Sequence, residues 1–178
     1  MKLSKFNPTN TQEVITLFTD VFSNSETVEE GKLIGDLVGN MIATTESYDL
    51  FGFVAIAEDT IVGCIFFSRL TLPEDKVAFI LSPVAIATKH QGKGLGQQLI
   101  NHGIAHLKSL NVDVLLTYGD PGFYSKVGFK HIGEDVIQAP LKLSHPEGWL
   151  AQSLTDTPIE AMNGSSYCIN ALNDPRYW

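Results

Sequence analysis

The sequence predicts a mixed α/β (α+β) fold: a central sheet of strands flanked by helices and containing at least one parallel crossover. Three observations predict it. Apolar residues recur at helical spacing up to about Thr44, strand-like runs of branched and aromatic residues take over from Phe51, and mid-chain a strand, a glycine-rich loop, a helix and another strand follow in that order. With 178 residues, 44% of them apolar, the chain is long enough for one well-buried core and short for two, so a single domain over residues 1–178 is expected.

The first helix is signalled by Asn10 as N-cap with Glu13 three positions on, then Val14, Leu17, Phe18, Val21 and Phe22 on one face. A second covers about 27–44, with Leu33, Ile34, Leu37, Val38, Met41 and Ile42 as its stripe and Gly35 and Gly39 weakening the pattern. Phe51 to Glu58 and Ile61 to Leu72, separated by a turn at Asp59-Thr60, read as a hairpin. Val77 to Ala87 is a third strand. Proline cannot donate to a ladder, so Ser82-Pro83 predicts a bulge or a splay there.

A helix then begins near Gly94, with Gly96, Leu99, Ile100, Gly103, Ile104 and Leu107 on its packed face. Val112 to Tyr118 is a further buried strand, and Asp120-Pro121 opens a short helix through Val127 that Gly128 ends. Phe129 to Ile132 resumes strand. From about Gln138 the density of proline and glycine predicts a loop-rich tail with one strand near Ser166 to Leu172.

Composition excludes several classes. The net charge of -8 and the absence of aromatic residues interleaved with basic ones argue against a nucleic-acid surface. No apolar run approaches the ~18 residues of a membrane span, and the first residues lack a signal-peptide core, so a cytoplasmic, non-membrane protein is expected. Cys64 and Cys168 have neither disulfide nor zinc spacing. Any self-association is expected to give a homodimer, the commonest closed assembly.

Gln91-Gly92-Lys93-Gly94-Leu95-Gly96, at the strand-to-helix junction, is the strongest functional signal. Its glycines allow tight turning that brings N–H groups to one point, and the helix adds its positive dipole end, which suits a phosphate. Residues 76–112 contain no Asp or Glu while holding Lys76, Lys89, Lys93 and Lys108. At the chain's average, roughly four acids would fall in that window. A dinucleotide fingerprint would require glycine where Gln97 stands, and an NTP loop would require Ser or Thr after Gly-Lys, where Lys93 is followed by Gly94.

Gln91-x-x-Gly94-x-Gly96 between strand and helix resembles the acyl-CoA signature of the GNAT N-acetyltransferases. Asp120-Pro121-Gly122-Phe123-Tyr124-Ser125-Lys126-Val127-Gly128-Phe129 resembles that family's second signature. The likeness is good over about 50–133, loose over the helical start, and confined in the tail to a subset of uncharacterised bacterial members. It implies a mixed, splayed sheet of about six or seven strands and acetyl-CoA as cofactor without a metal. The diphosphate would lie on Gly92, Lys93, Gly94, Leu95, Gly96 and Gln97, with Gln91 capping or orienting the loop at this cofactor site, and the pantetheine amides on the backbone of Val84, Ala85 and Ile86, with an N–H near Val84 or Ile86 meeting the thioester oxygen. Tyr124, where the family often places a tyrosine near the thioester sulfur, is the implied catalytic group; Phe123 beside it cannot donate a proton.

The implied reaction is direct acetyl transfer to a small-molecule amine through a tetrahedral intermediate. A non-catalytic acyl-CoA-binding module and a protein or peptide N-acetyltransferase remain alternatives. An alkylammonium near pKa 10.4 is neutral only about once in 2,500 at pH 7, so a base should help, and Glu58, Glu74, Asp75, His90 and Asp120 are all open by position. The tail segment Ser144 to Leu150 is a further candidate for the acceptor pocket, with Trp149 as a flat wall and His145 or Glu147 as polar contacts.

Overall fold

A computed structural model describes all 178 residues, Met1–Trp178. Seven strands form one sheet in the order β1-β2-β3-β4-β5-β7-β6: β1 (Lys2–Lys5), β2 (Leu50–Ala57), β3 (Thr60–Thr71), β4 (Val77–Ile86), β5 (Val114–Tyr118), β6 (Lys130–His131) and β7 (Trp149–Ser153). Four α-helices accompany them: α1 (Thr11–Ser25), α2 (Val28–Thr44), α3 (Leu95–Ser109) and α4 (Pro121–Tyr124). β1 pairs antiparallel with β2, as β7 does with β5 and β6, while β4 and β5 run parallel and are connected through α3. The chain packs as two compact units, Met1–Phe67 with Pro83–Gly103, and Ser68–Ser82 with Ile104–Trp178. No helix is long and apolar enough to cross a membrane.

In the first unit, Thr27 caps α2 by accepting from the Glu30 N–H at 3.1 Å, which fixes the helix start that the sequence indicates. Asn10 sits at the cap position of α1 but makes no side-chain cap bond. Its expected partner Glu13 accepts from the Asn10 side-chain amide at 3.4 Å through one carboxylate oxygen, and through the other accepts from the Ile61 N–H at 2.8 Å, which pins α1 to the start of β3. The glycines of α2 have a packing reason. A Cβ at Gly31 or Gly35 would run into Ser23 or Thr19 of α1, so the two helices can approach closely only because those positions are bare. Glu58 and Asp59, both at positive φ (49° and 59°), make the tight β2–β3 turn. Val14, Phe18, Leu37, Val38, Met41, Phe53, Phe66 and Phe67 are fully buried and constitute this unit's core with Leu99 and Ile100 of α3.

In the second unit, β5 lies between the first half of β4 and β7, with Leu81↔Thr117 as the last β4–β5 pair and Tyr118↔Trp149 the last β5–β7 pair. The structure corrects the tail. The strand there is β7 at Trp149–Ser153, whereas Ser166 to Leu172 makes only a single bridge, Thr71↔Tyr167, followed by a 3-10 turn at Asn170–Leu172. β1 is likewise a strand that the sequence did not announce. The tail is tied down by indoles: Trp149 Nε1 donates to the Ile137 carbonyl at 2.9 Å and Trp178 Nε1 to that of Leu172 at 2.8 Å.

Gly103 of α3 tests the close packing of the first unit. A Cβ there would overlap the Phe67 ring, with Cζ at 2.7 Å and the Phe53 ring at 3.2 Å, and neither ring has room to move because both are buried. Gly103→Ala should therefore destabilise the protein by about 1–3 kcal/mol, in spite of a helix-propensity gain of about 1 kcal/mol. Chemical denaturation measures this, and a midpoint equal to or above the parent's contradicts it.

Candidate functional site

The glycine segment belongs wholly to the first unit. β4 ends at Ile86, the Ala87 N–H returns to the Val62 carbonyl of β3 at 2.8 Å, and Thr88–His90 makes one 3-10 turn. Gln91 then folds its side chain back, donating from Nε2 to the Ile86 carbonyl at 2.8 Å, which closes the end of the strand onto the loop. Gly92 and Gly94 stand at φ 72° and 79°, the left-handed region that a β-carbon makes costly, and a Cβ at either would meet no atom within 4 Å. These glycines are required by backbone conformation, since nothing crowds them. Lys93 donates to the Lys89 carbonyl at 3.0 Å, so its ammonium bridges the loop.

The Gln98 N–H takes the Gly94 carbonyl at 3.1 Å, the first bond of α3. The amides of Leu95, Gly96 and Gln97 precede it and have no intrahelical acceptor, which is the ordinary condition of a helix start and the basis of its affinity for anions. Gly92, Lys93 and Gly94 are exposed and Leu95 and Gly96 buried, so the loop tip meets solvent while its base is packed. Val84 is half-buried, and Ala85 and Ile86 are buried. The β4–β5 ladder ends at Leu81 although β4 continues to Ile86, so the splay expected at Ser82-Pro83 appears as an early end to pairing within a continuous strand. The ten residues expected to hold the cofactor thus form two adjoining stretches, the last residues of β4 and the loop with the first turn of α3.

Tyr124 belongs to the second unit. Asp120 caps α4, its carboxylate accepting from the Gly122 N–H at 2.8 Å, and its carbonyl accepts the Tyr124 N–H at 3.1 Å. Gly128 at φ 96° ends the following 3-10 turn, and the Phe129 N–H returns to the Tyr124 carbonyl at 3.2 Å. The Tyr124 ring is held edge-on by Phe123 at 5.0 Å and Phe129 at 5.7 Å, and it covers Gly119, where a Cβ would stand 2.7 Å from Cε2. Burial pushes the phenol up to about 12; a hydrogen bond with Thr117 acts against this, and the nearby Asp120 carboxylate adds to it.

Beside Tyr124's helix lies a pocket of about 290 Å³ lined by Tyr118, Gly119, Asp120, Pro121, His145, Glu147 and Gly148. Tyr118 organises it, its hydroxyl accepting from the His145 N–H at 2.7 Å and donating to the Trp178 carbonyl at 2.9 Å. His145 Nδ1 is 3.5 Å from Glu147 Oε1. Trp149 is not a wall of this pocket: it is fully buried, and its N–H is spent on Ile137. Of the candidate bases, Asp120 alone shares this pocket with His145 and Glu147. Glu58 shapes the β2–β3 turn, Glu74 and Asp75 are exposed between β3 and β4, and His90 lies in the 3-10 turn before the loop.

Two further groups bear on the chemistry. Burial holds the Cys64 thiol well above its ordinary range, which removes it as a thiolate nucleophile. Thr117, which the sequence reading passed over, is fully buried and donates to the Leu81 carbonyl at 2.8 Å, at the last rung of the parallel ladder. The signal for it was a lone hydroxyl in an apolar strand, a group that must find a partner.

A family model described as an acetyltransferase (GNAT) domain matches residues 49–131. The chain is 29% identical over 130 residues to the uncharacterized N-acetyltransferase YjhQ of Escherichia coli K12, covering 70% of this chain and 72% of that one. Among solved structures it is similar to the E. coli GNAT family N-acetyltransferase YhbS in complex with CoA, with a TM-score of 0.83 and 22% identity over 97% of this chain and 92% of that one. A GNAT family acetyltransferase from Brucella melitensis in complex with acetyl-CoA gives 0.76 and 21%, with 97% of each chain covered. These structural likenesses establish the fold.

The raised phenol makes a pH prediction. The folded state holds this proton up to about 12 whereas the unfolded state releases it near 10.0, so the contribution is complete below pH 10 and is lost as pH rises from 10 to 12. The unfolding free energy of the parent should fall more steeply across that window than that of Tyr124→Phe. Parallel profiles would show that the phenol titrates as in a free peptide.

Proposed function

Because this chain belongs to the GNAT family of acetyltransferases, we propose that it acts as one acyltransferase domain that binds acetyl-CoA and passes the acetyl group directly to a small-molecule amine. The observation that carries this reading is the loop at Gln91–Gln97, where two left-handed glycines and the opening of α3 gather main-chain amides on a segment devoid of acids. A diphosphate satisfies those amides. The side chains contribute less, since Gln91 is committed to the Ile86 carbonyl at the end of β4 and Lys93 to the Lys89 carbonyl. The backbone of Val84, Ala85 and Ile86, past the end of the β4–β5 ladder, is assigned to the pantetheine amides, and an N–H near Val84 or Ile86 to the developing oxyanion.

In the proposed step the neutral amine nitrogen attacks the thioester carbonyl, a tetrahedral intermediate forms, and the carbon–sulfur bond breaks as sulfur receives a proton. Tyr124 is assigned to that sulfur. A phenol near 12 and a thiol near 8.5 make complete transfer between the resting groups uphill by about 5 kcal/mol. The phenol therefore keeps its own proton and gives sulfur a hydrogen bond that strengthens while negative charge builds there, and the departing thiolate is protonated from the new ammonium by way of solvent. No covalent enzyme intermediate is needed, in keeping with the buried, unactivated Cys64.

We assign the acceptor to the pocket at the end of β5. Asp120 and Glu147 supply negative charge that suits a protonated amine, and His145 beside Glu147 is the group best placed to relieve it of its proton.

Thiol release from acetyl-CoA across an amine panel tests the reading, and acetyl-CoA binding with no release for any amine would support a binding module instead. Gly94→Val should weaken CoA binding at least tenfold by placing a branched residue at φ 79°, and unaltered affinity removes the loop from the site. Tyr124→Phe should lower turnover by roughly 10 to 100-fold with little change in CoA affinity. Unchanged turnover reduces Tyr124 to packing.

A further inference from the structure

The turn that carries the pocket's polar side chains cannot hold its place by packing. Ser144, His145, Pro146 and Glu147 are all exposed, and burial resumes only at Leu143 before them and Gly148 after. Hydrogen bonds hold the turn instead. The Gly148 N–H returns to the His145 carbonyl at 2.8 Å, and the Gly148 carbonyl accepts from the Gly119 N–H at 3.0 Å, which fastens the far end of the turn just past the end of β5. A Cβ at Gly148 would stand 2.9 Å from the Gly119 carbonyl oxygen, so only a bare residue makes that approach. The near end is fastened through one hydroxyl. Tyr118 accepts from the His145 N–H at 2.7 Å and donates to the Trp178 carbonyl at 2.9 Å, and the same carbonyl accepts from the Ser144 N–H at 2.8 Å. Each direction is fixed, because an amide N–H only donates and a carbonyl only accepts.

Trp178 is itself immobilised. Its side chain is buried, its indole N–H donates to the Leu172 carbonyl at 2.8 Å, its ring stacks on Tyr118 at 5.9 Å and 18°, and Trp149 meets it at 6.0 Å in an edge contact. We propose that Tyr118 and Trp178 are positioning residues for the acceptor amine, a chain anchored in the core at Trp178 that fixes where the exposed His145–Glu147 turn stands. This rests on the assignment of the pocket at the end of β5 to the acceptor. The Tyr118 proton is committed to Trp178, so Tyr118 acts through geometry and not by proton transfer. With the near end released, the turn keeps only its Gly148 anchor, and the His145 imidazole and Glu147 carboxylate, 3.5 Å apart, lose their fixed place in the wall they share with Asp120. Amine binding must then order the turn, which weakens affinity for the amine. The glycine loop belongs to the other unit and shares none of these bonds, so acetyl-CoA affinity is left as it was.

Steady-state kinetics of the whole protein with n-butylamine, phenethylamine and spermidine as acceptors test the proposal. Tyr118→Phe keeps the ring and removes the hydroxyl. It should raise the KM for the amine that the parent uses best by about three- to tenfold, the range of one hydrogen bond, while kcat and the KM for acetyl-CoA stay within about twofold. A purely structural loss would lower kcat through the folded fraction and leave both KM values in place. Trp178→Leu should raise the amine KM to a similar extent and Trp178→Phe, which keeps a ring against Tyr118, should recover most of it. In a Tyr118→Phe background Trp178→Leu should add less than about twofold, because both release the same end of the turn. Tyr118→Phe carries the test if the leucine variant does not fold. An amine KM that Tyr118→Phe leaves unmoved and Glu147→Gln raises overturns the proposal alone. An amine KM unmoved by both overturns the pocket assignment beneath it, and an absence of thiol release with all three amines overturns the direct-transfer reading itself.

Discussion

The parallel pairing of β4 with β5 lasts for four residues on each strand and stops at Leu81 and Thr117, and the rest of the arrangement depends on that early stop. β4 itself runs on for five more residues to Ile86. Pro83 has no N–H to give a neighbour, and the Thr117 hydroxyl donates to the Leu81 carbonyl at the last pair. A fully paired strand would leave no main-chain groups to offer a ligand. A strand that continues beyond its ladder can present amides in a rigid, extended frame, which costs less ordering on binding than a loop would.

The glycine loop carries the same economy one step further along the chain. Gly92 and Gly94 adopt conformations that other residues resist, and Gln91 ties the loop back to the last strand carbonyl, so the turn is held without a buried side chain at its tip. Rigidity comes from main-chain geometry and from the packed base at Leu95 and Gly96. The absence of acids from residues 76–112 keeps the local field favourable for an anion in a protein whose net charge is -8.

Much of this was legible in the sequence because local signals and tertiary demands agree. The second helix starts where its apolar stripe indicates, the run from Val77 to Ala87 forms one strand to Ile86 whose pairing with β5 stops before the proline, and Gly128 ends its turn in the left-handed region. The failures come where pairing outweighs propensity. Trp149-Leu150-Ala151-Gln152-Ser153 is a weaker strand former than Tyr167-Cys168-Ile169, yet it lies between β5 and β6 and gains a ladder on both sides, whereas Tyr167 finds one bridge. β1 is four residues long, and its identity comes from pairing with β2. Trp149 illustrates a different limit. An aromatic near the pocket residues His145 and Glu147 looks like a lining group, but its ring is fully buried in the core, where the Ile137 carbonyl satisfies the indole. Thr117 escaped notice because threonine in a strand is unremarkable until its hydroxyl is found at the last rung.

The most direct test of the central claim is an amide NMR titration with CoA, compared with pantetheine, which lacks the diphosphate. If main-chain amides of the loop and of the first turn of α3 hold the diphosphate, the resonances of Gly92, Lys93, Gly94, Gly96 and Gln97 move on addition of CoA and stay in place with pantetheine. Saturable binding of CoA that leaves those five resonances where they were would contradict it.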